Sequence, residues 1–413
     1  MKNKNLWVDF SIFNLCIVAL MGFILRSKIL FSLRGINYLN LLDAHFHFAF
    51  EGWVTLALLF LIVHELLSGT LNGKCVYHWL FGSIVLFSFG ILVITLLNNK
   101  SLIANLFSSL FILVTYVFTW IFLKDIRKAP LNKTTRLLCI SAIICLILSS
   151  VGSIALMYLH SIKSLNSLLR RDALYVYLHL QYNGFFTLVV FALLFHKLYP
   201  KISKRAQHNF FLFAILLSIS ILPSLFLSFL WQDPNNLFRI MAVIGSILIF
   251  VTATCFLISV LPLLKHSKTA PPVIRFILFL SMAAFIFKMF LQCLTIFPAV
   301  GNAVFGDRPV IIGFLHLVFL GFVSPFILAY YAQKDELNIR ISLTKYALVI
   351  FMLGIVFNEI TLMLQGFGAM FLKSSYLLPW LLWAISILLV VGAILIFIAR
   401  LRSKISLEII IQK

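Results

Sequence analysis

The sequence is poor in charge, and poorest in negative charge. Only 12 of its 413 residues are Asp or Glu, against 33 Lys and Arg, and charged residues together make up 11%. Soluble domains carry about a quarter, so no water-facing surface can be built all round this chain. Other signatures are missing too. No GxGxxG opens a helix after a strand, and no phosphate loop occurs, so nucleotide chemistry is not encoded. The six cysteines form neither Cys-x-x-Cys nor Cys-x-x-Cys-His, so a covalently attached haem is not expected.

What is present is apolar: 62% of residues are hydrophobic and the mean hydropathy is +1.10. This predicts an all-α integral membrane protein. A span needs about 20 apolar residues, and twelve such runs occur, at 6–26, 41–67, 77–97, 102–123, 135–160, 174–196, 208–231, 236–262, 272–294, 309–331, 343–366 and 377–400. They are far too long for barrel strands, and backbone groups cannot stay unpaired in lipid, so each is expected to be a helix. The first run has no small-residue cleavage site after it and is expected to stay as span one.

Lys and Arg set the orientation. Counted together with those in the first or last turn of the adjoining runs, the N-terminus, the even-numbered links and the C-terminal tail carry 22 of them, and the odd-numbered links 10. Both termini are therefore expected in the cytoplasm, in a bacterial inner membrane. The net charge of +21 reads as topology signal and anionic-lipid contact, with no nucleic-acid partner implied.

One pattern recurs three times inside these runs. It comprises His47, Phe50, Gly52, Trp53 and Thr55, then His179, Tyr182, Gly184, Phe185 and Thr187, then His316, Phe319, Gly321, Phe322 and Ser324. The histidines are 132 and 137 positions apart, about a third of the chain, and fall on spans two, six and ten. A single membrane domain, 1–413, built from three four-helix repeats (approximately 1–130, 131–265 and 266–413) in a pseudo-threefold arrangement is the expectation. With spans two, six and ten innermost, the three histidines would share a depth of roughly 10 Å.

On a regular helix the aromatic at plus three and the residue at plus four (Glu51, Asn183, Leu320) flank the histidine, while the glycine is turned away. Such a face suits a flat macrocyclic ligand. Packing of small residues is the competing explanation, but packing does not require histidine three times.

The twelve spans, the threefold plan and the histidines on spans two and ten resemble the catalytic subunit of the haem-copper oxidases and nitric oxide reductases, and their NnrS-type relatives. The string His45-Phe46-His47-Phe48-Ala49-Phe50-Glu51-Gly52-Trp53 is similar to the span-ten motif of the cbb-type oxidases, although here it lies on span two. The resemblance implies a low-spin haem b with His47 and His316 as axial ligands, Phe50 and Phe319 lining its pocket, and Gly52 and Gly321 allowing close helix approach. It also implies a second, incomplete high-spin or copper centre at His179, with His45 as companion, able to hold copper or another metal ion. Where the family keeps its high-spin haem ligand this chain has Phe314, and span seven has no His-His pair. Conventional reduction of oxygen to water is therefore not expected. A respiratory redox or nitric oxide-related role is, with quinol or other membrane redox subunits as partners.

Further residues are candidates by position. His45 points about 200° away from His47 on a regular helix, so the two would serve separate centres, or His45 is simply hydrogen-bonded near the interface. His160, beside Tyr158, is another candidate ligand. Charges inside spans are expensive, and Lys288 is expected to pair with Glu51 or Glu359. Glu51, Tyr177, Tyr182, Asn183, Lys288 and Glu359 form the expected polar surround. Arg170 and Arg171 are candidates for haem propionates. His64, His78, His196, His208 and His266 read as cytoplasmic interfacial residues. Two other classes stay open: a non-enzymatic protein binding copper or zinc through His47, His179 and His316, and a twelve-helix transporter, whose repeats are usually two sixes.

Overall fold

Asparagine and serine start half of the spans. Asn37, Ser101, Asn132, Asn166, Ser203 and Asn235 each accept a hydrogen bond from a backbone N–H one to two residues into the helix that follows, satisfying donors that have no partner within the helix. A computed structural model describes residues 4–411 except 68, 99–100, 233, 263–269, 307, 372 and 374. Among these residues no strand occurs. His266 lies outside the described residues.

Twelve helices are long and apolar enough to cross a membrane: Asn5–Leu30, Tyr38–Leu66, Cys75–Leu97, Leu102–Ile126, Lys133–Ser161, Ser167–Lys201, Lys204–Gln232, Asn236–Ser259, Pro272–Leu294, Arg308–Gln333, Ser342–Met370 and Leu377–Lys404. They are numbered here as spans one to twelve. The chain is an all-α integral membrane protein. Each expected run coincides with one helix. The larger differences are at span six, which extends a further two turns at its start through the polar stretch around Arg170 and Arg171, and at span twelve, whose helix runs on to Ile411. Outward faces expose large apolar side chains such as Leu86, Trp120 and Phe250, as a lipid-facing surface requires.

Spans two and six form the centre. In their most apolar stretches 83% and 94% of residues are buried, against 28–56% in the other spans. Span ten is only half central, which corrects the expectation that spans two, six and ten are the innermost three: 50% of its most apolar stretch is buried, against 56% for span eleven. The Arg308–His316 stretch has no buried residue, whereas nearly every residue from Leu317 to Ala332 is buried. The first half of span ten is flanked by cavities, and these concern function.

Span one packs on span twelve, bringing the two ends of the chain together. There the fully buried Arg400 of span twelve donates to Asp9 Oδ1 (2.7 Å) and Asn5 Oδ1 (2.9 Å) of span one. It also donates to Glu336 Oε2 and the Glu336 carbonyl (both 2.8 Å) in the link after span ten.

Candidate functional site

Each of the three motif helices changes its winding immediately after the motif histidine. π-Helix runs over Phe48–Thr55, Leu180–Phe186 and Leu317–Val323, and the residues just before them are His47, His179 and His316. π turns bond i→i+5, take up an extra residue, and concentrate at functional sites. Carbonyls in these turns are met by side-chain donors. Asn14 Nδ2 of span one donates to Gly52 O (2.6 Å), Ser281 Oγ of span nine to Phe322 O (2.7 Å), and Thr187 Oγ1 to Tyr182 O (2.6 Å). Trp53 Nε1 of the first copy donates to Ser324 Oγ of the third at 2.9 Å, tying spans two and ten together. The motif is thus a local backbone device as well as a set of side chains.

The plus-four neighbours flank their histidines as the spacing predicts. His47 Nδ1 lies 3.2 Å from Glu51 Oε1, and Asn183 Nδ2 donates to His179 Nδ1 at 3.1 Å. Beyond that the three histidines differ. His179 is fully buried with both ring nitrogens engaged: Nδ1 accepts from Asn183, and Nε2–H donates to the Ile221 carbonyl at 2.9 Å with Ser224 Oγ at 3.4 Å. No lone pair is left for a metal. Among the described residues no three His, Cys, Asp or Glu side chains converge as a metal site.

His316 is arranged differently. Its Nδ1–H donates to the Ile312 carbonyl one turn back, at 2.8 Å, which fixes the tautomer and leaves Nε2 with its lone pair. It borders a cavity of about 230 Å³ enclosed by spans one, two, ten, eleven and twelve, near the lower end of ligand pockets at roughly 300–1,000 Å³. The span-two imidazole on this cavity is His45, not His47. His45 rests against span one, with its Cε1 3.5 Å from where a Cβ on Gly22 would stand. The Val18 carbonyl interacts with the ring, yet its buried Nδ1 has no partner in hydrogen-bonding geometry. The cavity thus sets His45 rather than His47 beside His316, because the helix turns His47 towards Glu51 and His45 towards span ten. Nor is His45 a companion of His179.

Phe50 and Phe319 line the same cavity, their ring centroids 4.1 Å apart, as the motif implied. Tyr177 stacks on Phe50 at 5.8 Å behind them. Arg26 supplies the cation on the wall, within electrostatic reach of His45, His316 and Glu359. Arg170 and Arg171 do not line it. Arg170 donates to the Ser164 carbonyl at 2.5 Å, and Arg171 sits 4.4 Å over the Trp231 ring. Arg26 is the last residue of the first expected run, 6–26, and the sequence assigns it no role; the helix continues to Leu30 and sets it on the cavity wall. Asn358, also on the wall, donates to Glu359 Oε1 at 3.1 Å, leaving the buried Oε2 without a partner.

The glycines differ as well. A Cβ on Gly52 would meet the Phe48 ring of its own helix at 2.8 Å, and one on Gly321 only ordinary contact with Ala284 at 3.4 Å. Neither is the close helix approach expected there. That role falls to Gly184, where a Cβ would lie 2.5 Å from Cys145 Cβ on span five.

Lys288 does not pair with Glu51 or Glu359. It is 1% exposed, and its Nζ reaches Thr187 Oγ1 at 3.5 Å with the Tyr182 and Phe285 rings at 5.9 and 5.7 Å. On the other side of span ten lies a second cavity, of about 270 Å³, bounded by spans six, seven, nine, ten and eleven and lined mainly by apolar side chains. Phe314 and Tyr182 meet on its wall with ring centroids 5.7 Å apart. His160 lines neither cavity. No protein-family model matches this chain, and no curated protein shows significant similarity to it.

Proposed function

We propose that the protein is a haem-binding membrane protein in which His45 of span two and His316 of span ten are the axial ligands of one b-type haem. The observation that carries this is the convergence of two imidazoles from different spans on one aromatic-walled cavity, one of them with Nδ1 already committed to a carbonyl. Metal-ligating histidines carry just such a partner on the second nitrogen. The orphaned Nδ1 of His45 and the cation at Arg26 fit the same group. Phe50 and Phe319 would cover it, and Arg26 would meet its carboxylates. Bound there, a haem would supply a one-electron couple tuned by its axial ligands and burial.

The reading extends to the whole chain as three related four-helix parts, supported by the π turn that follows each motif histidine. The excess of Lys and Arg on the side of the termini supports a cytoplasmic location for both ends, in a bacterial inner membrane. The second cavity has phenylalanine where a second haem would need an imidazole, so oxygen reduction to water is not proposed. Electron transfer from quinol or a partner subunit, or handling of nitric oxide, is the role in keeping with a single bis-histidine site.

The test is a reduced-minus-oxidised absorption spectrum of the purified protein. His45→Ala and His316→Ala should each abolish a low-spin haem signal, while His47→Ala and His179→Ala retain it. Wild-type protein without haem sinks the reading. Loss in His47→Ala with retention in His45→Ala restores the other pairing.

A further inference from the structure

The face that carries both chain ends holds an opening unconnected with the histidine cavity. It is a cleft of about 840 Å³ bounded by the ends of spans six and ten and the start of span nine. Four cations border it: Lys197 and Lys201 at the end of span six, Arg275 in the first turn of span nine, and Arg340 in the link after span ten. Among the described residues Asp335 is the one carboxylate on its wall.

Several cations elsewhere on this face are matched to carboxylates. Lys74 meets Asp125 at 2.5 Å, Lys334 meets Glu65, and Arg400 and Lys404 share Asp9. The cleft differs. Among the described residues no ion pair involves Lys201, Arg275 or Arg340, all three of which are exposed. Lys197 engages the Gln333 amide oxygen and lies 5.6 Å over the Tyr330 ring, so it is positioned without being neutralised. In a chain with so few acidic residues, four cations gathered around one carboxylate lack an anion.

The rest of the lining indicates what kind of anion. Ile274, Leu278 and Met282 form an apolar wall, and Phe276 and Phe279, 48% and 59% exposed, stand on the flank of span nine where it turns to lipid. A free phosphate would use the cations and leave this wall without a role. An amphiphile with an anionic head and apolar chains uses both. We propose that the cleft binds an anionic phospholipid, its phosphate held by Lys201, Arg275 and Arg340 and its acyl chains laid along Phe276 and Phe279. Guanidinium forks suit phosphate oxygens, and basic pockets between membrane helices hold such head groups.

Native mass spectrometry of the full-length protein in non-ionic detergent tests this by titration with phosphatidylglycerol and with phosphatidylcholine. Phosphatidylglycerol should bind more tightly. A juxtamembrane cation is worth about 1 kcal/mol, or roughly fivefold in affinity, so Arg275→Gln/Arg340→Gln should weaken it about 25-fold. Arg127→Gln/Lys128→Gln, which removes two exposed cations from the link after span four on the same face, should leave the affinity unchanged. Equal affinity for the two lipids, equal losses in the two double variants, or displacement of the lipid by millimolar inorganic phosphate would each overturn the proposal.

Discussion

Replacing Arg400 by Met should unlatch the two ends of the chain. The guanidinium is fully buried and makes four hydrogen bonds of 2.7–2.9 Å, to Asp9, Asn5 and two oxygens of Glu336. Removing one partner of a buried ion pair costs about 3–5 kcal/mol, because the other charge stays buried without it. Here the Asp9 contribution is discounted: its carboxylate is 18% exposed and keeps Lys404 at 3.4 Å. Glu336, 8% exposed, dominates. The loss should therefore fall near the lower end, about 3 kcal/mol, which is roughly a hundredfold in the folding equilibrium. Unfolding in mixed detergent micelles, followed through the seven tryptophans, gives the measurement. Lys404→Met, which touches only the partly exposed pair, should cost under about 1 kcal/mol. Adding Glu336→Gln to Arg400→Met should recover part of the loss, since a neutral amide is far cheaper to bury than a carboxylate that has lost the Arg400 guanidinium. If Arg400→Met is no less stable than Lys404→Met, the latch has no energetic reality.

Three other substitutions test the packing around the motif. Lys288→Met should leave stability unchanged or raise it, because the ammonium meets a hydroxyl at 3.5 Å and two aromatic rings at 5.7 and 5.9 Å but no carboxylate, and a buried charge without a carboxylate is costly; a loss above about 1 kcal/mol in the same unfolding assay would contradict this. Gly184→Ala should cost about 1–3 kcal/mol through overpacking against Cys145, whereas Gly321→Ala, with ordinary contacts, should be tolerated. Equal costs would refute the distinction. Trp53→Phe should lose about 1 kcal/mol with its bond to Ser324, and a double-mutant cycle with Ser324→Ala should show coupling; strict additivity would mean that the bond does not tie the two spans.

Architecture was legible in the sequence because lipid leaves so little choice. A run of about 20 apolar residues must satisfy its own backbone, so it is a helix, and twelve such runs gave twelve spans at nearly the expected limits. The motif's plus-four neighbours were legible for a similar reason: one turn of helix sets Glu51 beside His47 and Asn183 beside His179 whatever surrounds them. What the sequence could not decide is which imidazole of span two faces span ten. His45 and His47 are two residues apart on nearly opposite sides of one helix, so either fits the pattern, and only the packing of spans one, two and ten directs His45 to the cavity and His47 to Glu51. The same holds for charge. Lys288 and Glu359 stand at compatible depths along their own spans, but depth says nothing about direction around a helix, and tertiary packing turns one to Thr187 and the other to Asn358. The π turns are a further tertiary matter. Winding that exposes carbonyls is tolerable only where Asn14 and Ser281, remote in sequence, arrive to donate to them. Periodicity determines that a helix forms and which residues share its face; which neighbour that face meets is settled when twelve helices compete to bury their few polar groups together.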